Sequence, residues 1–393
     1  MQIDYPISNK QNENIVMFTD KEEYIKLREE VRRFNLKELL PIASECDEKE
    51  LFPFDVLKKA AKLGYVGPHL PEKYGGMGDY YAKAIVYEEN CRVSFGYNLS
   101  LNASDLLFAN NIAKHGTEEQ KQKYLPGVIS GEKIGCWALT EPDAGSDALS
   151  IQTTWVKDGD HYIINGRKTF ITNAPIADFF IVIARKPGTI KTDGGCAFIL
   201  ERGMTGLSTG KPFKKLGGRC SPTGEIVLED VRVSRDQLLG KEGDGFKDMF
   251  ASLDVERAYT PLSSIGIAQA CLDEVISYTK QRKQFGRLIS EFQLIKEKLA
   301  VMSAELEVAR YYVYNLIEQM VQGKNITKEA SIAKLFASDM VNKATREAIQ
   351  IMGGYGYMRE YRVERYFRDA KLLEIGAGTS EIQKLIIARE LLK

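Results

Sequence analysis

The chain has 393 residues, of which 44% are hydrophobic and 27% charged. Its 54 basic and 54 acidic residues give a formal net charge of zero. That balance excludes a broad polycationic surface for nucleic acid or anionic membrane but leaves room for a local basic slot that takes a phosphorylated ligand. At roughly 100–200 residues per domain the length predicts two or three domains, or one composite, with a core that needs no disulfide or metal staples.

Residues 1–20 read as a polar tail without the basic start and apolar core of a signal peptide or the arginines of a transit peptide. No run of ~18 apolar residues occurs, so no spanning helix is expected. The next stretch, 21–132, reads as a helical domain. Tyr24, Leu27, Val31 and Phe34 recur every three or four residues and make one apolar stripe, with Asp20 ahead of it as N-cap. Pro53 opens a short helix that Gly64 stops, and LPEKYGGMG (70–78) is a turn segment.

The pattern changes near residue 133. Asn165-Gly166 between two β-prone runs predicts a hairpin, and 179–186, 196–202 and 224–233 are further strands. Residues 133–240 therefore read as a small β domain or barrel. From about Asp244 helical spacing returns. Phe292, Ile295, Leu299, Met302, Leu306 and Ala309 form a heptad-like seam, and Ile332, Phe336, Met340 and Ala344 a second stripe, so 241–393 reads as a helical bundle. The fold class expected is α+β: helices, a β domain, then a bundle.

Six cysteines (Cys46, Cys91, Cys136, Cys196, Cys220, Cys271) lack any CxxC spacing, and His69, His115 and His161 lie far apart. Reduced cysteines in a cytoplasmic enzyme and no metal centre are the expectation.

Four segments carry candidate chemistry. In CWALTEPDAGSD (136–147) a strand enters a turn of small residues whose backbone allows close approach of a planar ring or phosphate, although Gly and Asp are also ordinary turn residues. In KTFITN (168–173), Phe170 and Thr172 lie two apart on a strand and share a face, an aromatic beside a hydroxyl. In QRKQFGRLISEFQ (281–293) Arg282 suits a pyrophosphate, or the segment is a solvated basic turn. In 350–392, Gly353-Gly354 and Gly376-Ala377-Gly378 break helices, and Thr379 reads as N-cap of a last helix.

Together, LPEKYGGMG, WALTEPDAGSD, QRKQFG…FQ, QIMGGYGY and RDAK…GTSEIQ make the chain resemble the acyl-CoA dehydrogenase family from about residue 20 to the end. The resemblance implies an N-terminal α-helical domain, a middle β barrel and a C-terminal four-helix bundle, assembled as a homotetramer that holds FAD. It implies that Leu139 and Thr140 hydrogen-bond the flavin ring and that Ser146 lies by the flavin and CoA pyrophosphates. Thr172 would reach the flavin N5 side, and Phe170 would form an aromatic wall where the family often has Trp. Arg282, Phe285, Gln293, Gln350 and Gly354 would contact the ADP half of a neighbouring subunit's FAD, with Thr379 and Glu381 supporting it at the last helix.

The family removes a Cα proton with a carboxylate while hydride passes from Cβ to the flavin. Most members place that Glu where this chain has Ala377. The isovaleryl-CoA dehydrogenase branch also reads IGAGTSE there and carries its base in an LDLER-type segment. Here Leu253-Asp254-Val255-Glu256-Arg257 matches it, which implies Glu256 as base, with Arg257 holding the CoA portion. Glu374 and Asp105 compete for that role. The implied substrate is a branched short-chain acyl-CoA such as isovaleryl-CoA, with Ala377 in its pocket and an electron-transfer flavoprotein as acceptor. An alicyclic or aryl-substituted acyl-CoA, with Asp105 in the acyl pocket, is the alternative. An oxygen-using flavin oxidase, a flavoprotein without catalysis and a reductase are other readings of the same pattern.

Overall fold

A computed structural model describes residues 17–393. Most of the expected polar tail lies outside the described residues. Its last part does not behave as a tail. Phe18 is buried, stacked on Tyr81 and edge-on to Tyr24 and Tyr314.

The first third is helical: α1 (Glu22–Phe34), α2 (Leu40–Lys49), α3 (Phe54–Lys62), α4 (Tyr80–Cys91), α5 (Phe95–Asn102), α6 (Asn110–His115) and α7 (Glu118–Ile129). The stripe on α1 packs inward through Tyr24, Leu27, Val31 and Phe34. Its N-cap is Lys21 rather than Asp20, whose carboxylate instead accepts the Met17 N–H at 3.1 Å. α4 is buried from Ala82 to Cys91, so it shows no polar face; it lies between α1 and the bundle. α5 continues through wide π-helical turns (Ala103–Ala109) before α6.

Eight strands follow: β1 (Gly135–Ala138), β2 (Thr154–Asp158), β3 (His161–Thr172), β4 (Phe179–Arg185), β5 (Gly195–Glu201), β6 (Leu207–Thr209), β7 (Thr223–Ser234) and β8 (Leu238–Gly243). They form one mixed sheet ordered β6-β7-β3-β2-β4-β5-β8, with β1 parallel to β4. The hairpin expected at Asn165-Gly166 is absent. β3 runs straight through it, and the chain turns at Gly159, which has φ +60°. Asn165 instead faces a bulge in β7, where its amide donates to Asp230 Oδ1 (2.9 Å) and its carbonyl accepts the Asp230 N–H (2.8 Å). Gly166 is required there because a Cβ would lie 2.6 Å from the Thr153 backbone.

The last part is α8 (Gly245–Tyr259), α9 (Pro261–Thr279), a hairpin of β9 (Lys283–Gln284) and β10 (Arg287–Leu288), α10 (Gln293–Val321), α11 (Thr327–Met352), α12 (Val363–Ala370) and α13 (Ser380–Leu391). α11 is central and touches α8, α9, α10, α12 and α13. Its buried face is rotated from the expected stripe. Met340 and Ala344 are inside, but Phe336 is exposed, and Ala330, Ala333, Lys334, Ala337 and Val341 take the core positions. Small residues on that face let the neighbouring helices approach closely, and they leave no bulky apolar stripe in the sequence.

Candidate functional site

Glu256 lies on α8, whose other residues nearby (Leu253, Val255, Arg257, Ala258, Tyr259) are buried. Protein surrounds its side chain, yet part of the residue stays accessible. Its carboxylate has no hydrogen-bond partner among the described residues. Burial pushes its pKa up to about 7, against the opposing pull of Arg257 and Lys334. The Thr260 hydroxyl donates to the Glu256 main-chain carbonyl (2.8 Å) and ties down that turn of the helix.

Beside it lies the turn before α13. Ala377 (φ +55°) and Gly378 (φ +89°) are both left-handed. Arg257 Nε donates to the Ala377 carbonyl (3.2 Å), and its Nη1 to Asp254 Oδ1 (2.9 Å). These contacts bind α8 to this turn. Lys334 Nζ and Gln383 Nε2 each donate to the Gly378 carbonyl at 2.8 Å. Thr379 caps α13, its hydroxyl accepting the Ile382 N–H (3.3 Å), and Glu381 is exposed in the first turn.

The rival carboxylates are engaged elsewhere. Asp105 is 0% exposed; both its oxygens lie 2.7 Å from Lys83 Nζ, and one accepts the Gly67 N–H at 3.1 Å. It is an internal counter-ion, so the expectation that it faces the acyl pocket is corrected. Glu374 pairs with Lys371.

The β domain supplies a second group of residues. β1 leads into Leu139 and Thr140, and the Thr140 carbonyl accepts the Thr169 N–H (2.9 Å). Beneath them Lys168, fully buried, donates to the Leu139 carbonyl (3.0 Å) and to Glu141 Oε1 (2.7 Å). Glu141 also accepts the N–H groups of Gln152 and Thr153. Burial works against the Glu141 charge, but Lys168 and these donors hold its carboxyl below the usual range. The pair fixes the loop bearing Ser146, which is exposed.

Phe170 does not follow plain strand alternation. It sits in a bulge with φ +56°, between Lys168 and Ile171, and is 69% exposed, packed on Phe213. Thr172 follows at the strand end, partly exposed. Among the described residues the hydroxyls of Thr140, Ser146 and Thr172 take no part in the side-chain hydrogen bonds that fix this region.

A third group lies apart. Arg282, Gly353, Gly354, Tyr278 and Tyr355 line an open cleft of about 480 Å³ that contains no β-domain residue. The Arg282 guanidinium lies 5.4 Å from the Tyr355 ring centre, and a Cβ on Gly354 would meet nothing. Phe285 at the β9–β10 tip is 94% exposed, and Gln293 and Gln350 are exposed as well. A cation beside aromatic rings and bare backbone suits a nucleotide diphosphate. Free hydroxyls beside an exposed aromatic suit a flavin ring. The residues present therefore fit FAD, divided between two surfaces.

Sequence reasoning missed Lys334, Lys168 and Lys83, three buried ammonium groups.

Comparison with known proteins gives three matches to family domains. The acyl-CoA dehydrogenase N-terminal domain matches residues 21–132, the middle domain 136–231 and the C-terminal domain 243–392. The chain is 43% identical over 369 residues to the caffeyl-CoA reductase-Etf complex subunit CarC of Acetobacterium woodii, covering 93% of this chain and 97% of that one. It is 41% identical over 381 residues to the mitochondrial isovaleryl-CoA dehydrogenase of Solanum tuberosum, covering 96% and 92%. Its fold matches the structure of butyryl-CoA dehydrogenase from Megasphaera elsdenii with TM-score 0.92 and 39% identity, over 95% of this chain and 99% of that one.

Proposed function

The chain belongs to the acyl-CoA dehydrogenase family of FAD-dependent oxidoreductases, and we propose that it oxidises the α,β bond of a branched short-chain acyl-CoA thioester with Glu256 as the base. The single observation that carries this reading is an unpaired, protein-enclosed carboxylate beside a turn whose own side chain is only the methyl of Ala377.

Bound FAD supplies the hydride acceptor. The protein's share is the proton. Enclosure raises the basicity of Glu256, so its carboxylate is matched to a weakly acidic C–H at neutral pH. Arg257 holds α8 against the 376–378 turn, so the base and the opposite wall keep a fixed separation. The methyl of Ala377 leaves space where a second carboxylate would crowd a branched acyl group. Thr140, Thr172 and the wall of Phe170 face the ring system from the β domain. Arg282 and Gly354, in a cleft lined by no β-domain residue, and the exposed Phe285, Gln293 and Gln350 serve the FAD of a neighbouring copy in a homotetramer.

The pairing of Glu256 with Ala377 favours isovaleryl-CoA and its like. The caffeyl-CoA reductase-Etf relative favours a second reading, reduction of an aryl-substituted enoyl thioester at the same site, and supports an electron-transfer flavoprotein as partner. An anaerobic titration of the purified protein with linear, branched, cyclic and aryl acyl-CoA thioesters separates the two. The branched saturated thioesters bleach the flavin fastest on the first reading. If only chemically reduced enzyme reacts, and with arylacryloyl thioesters, the second holds. If no thioester reacts in either direction, both fail.

A further inference from the structure

The turn before α13 holds an alanine in a conformation that alanine avoids. Ala377 (φ +55°) and Gly378 (φ +89°) are left-handed in succession. In that region a Cβ crowds the following carbonyl oxygen, so a non-glycine residue stays there only where its surroundings hold it. The surroundings here are donors, and they come from three helices. Arg257 Nε of α8 donates to the Ala377 carbonyl (3.2 Å) and Lys334 Nζ of α11 to the Gly378 carbonyl (2.8 Å). Gln383 of α13 donates to both: its Nε2 lies 3.2 Å from the Ala377 oxygen and 2.8 Å from that of Gly378.

Gln383 is 0% exposed, and its Oε1 is buried with no hydrogen-bond partner among the described residues. A buried amide that leaves one end unpaired is costly, so the other end accounts for its place. There its two hydrogens serve two carbonyls. The orientation of the amide follows, because in the reverse one Oε1 would face two carbonyl oxygens. The packing is also close: a Cβ on Gly378 would lie 2.9 Å from Nε2, so the turn meets the amide only with glycine at that position. Both carbonyls are thus drawn against the bundle, while Ala377 itself stays partly exposed.

We propose that Gln383 is a positioning residue that sets acyl selectivity: holding the two carbonyls from behind, it keeps the Ala377–Gly378 turn in the conformation that leaves room for a branched acyl group facing Glu256. Being fully buried, it touches neither thioester nor flavin and acts through the turn. Without the amide, Arg257 and Lys334 still reach one carbonyl each. The turn then persists but is free to pivot. A pivot intrudes on a branched group more than on a straight one, because the branch fills the width of the pocket.

Gln383 has this role only if the turn and Glu256 flank the acyl group, as proposed above, and the test separates the two. The FAD-loaded Gln383→Met variant keeps a side chain of similar volume and loses both donors. Its backbone amides in residues 376–380, followed by hydrogen exchange and mass spectrometry, should exchange about tenfold faster or more. In anaerobic flavin reduction the ratio of kcat/KM for isovaleryl-CoA to that for butyryl-CoA should fall about tenfold. If only the reduced enzyme reacts, the same ratio is taken for the two enoyl thioesters. A role in stability alone would lower the thermal midpoint and leave that ratio where it is. If the methionine variant does not fold, Gln383→Asn, whose amide falls one methylene short of the turn, must show both changes in smaller degree. Unchanged exchange, or faster exchange with an unchanged ratio, overturns the inference. The reading of Glu256 as base fails on a different result, flavin bleaching at the wild-type rate in Glu256→Gln, and exchange and ratio in Gln383→Met still decide the role of the amide.

Discussion

Three carboxylates compete for one role, and their surroundings separate them. Asp105 is held by Lys83 and an amide, Glu374 pairs with Lys371, and of the three only Glu256 is enclosed without a partner among the described residues. Asp105→Asn leaves Lys83 buried without its counter-ion and should destabilise the fold by about 3–5 kcal/mol, read from denaturant unfolding. Folded protein of that variant should still reduce its flavin at close to the wild-type rate, which an acid–base role for Asp105 would not allow. The pH dependence belongs to Glu256. With a pKa of about 7, raised mainly by burial, the carboxyl is protonated below neutrality and cannot accept a proton. The rate of flavin reduction should therefore rise about tenfold per pH unit up to pH 7 and level off above it. At this scale the sequence exposed Glu256 only through its pairing with Ala377. It concealed Lys334 and Lys168, because a lysine in a helical or strand pattern reads as a solvated residue unless its counter-charges, distant in sequence, are known.

Among the elements, the helices of the first and last thirds were legible from periodicity, since one apolar face per helix is enough to mark them. Two buried faces were not. α4 is buried on all sides and so lacks an amphipathic signature, and the face of α11 is built from alanine and serine, which carry little hydrophobic signal. β3 misled for a different reason. Asn165-Gly166 serves a bulge rather than a turn: Asn165 clasps Asp230, and Gly166 admits the Thr153 backbone. Gly166→Ala should therefore lower stability by about 1–3 kcal/mol through overpacking, seen as a reduced midpoint in thermal unfolding. A true hairpin turn with an open flank would tolerate the added methyl. A further bulge, this one in β3, gives Phe170 its left-handed backbone and turns it outward, which period-2 alternation does not anticipate.

For the whole molecule, the residues fitted to FAD fall on two surfaces of one chain. Phe285, Leu294, Tyr357, Leu385 and Leu391 are large apolar side chains left exposed. On the proposed reading the FAD site is completed by another copy. Arg282→Ala should weaken FAD retention by about ten- to a hundredfold, as loss of a charge-assisted phosphate contact does, measured by equilibrium dialysis. Sedimentation of the wild-type holoprotein should show four chains. A monomer that keeps FAD tightly would contradict a shared site.

The most direct test of Glu256 as the base is stopped-flow flavin reduction under anaerobic conditions with the thioester that wild type oxidises fastest. Glu256→Gln should retain FAD and bind the thioester while flavin bleaching slows by about 10²–10⁴-fold. Bleaching at the wild-type rate in that variant would show that another group takes the proton.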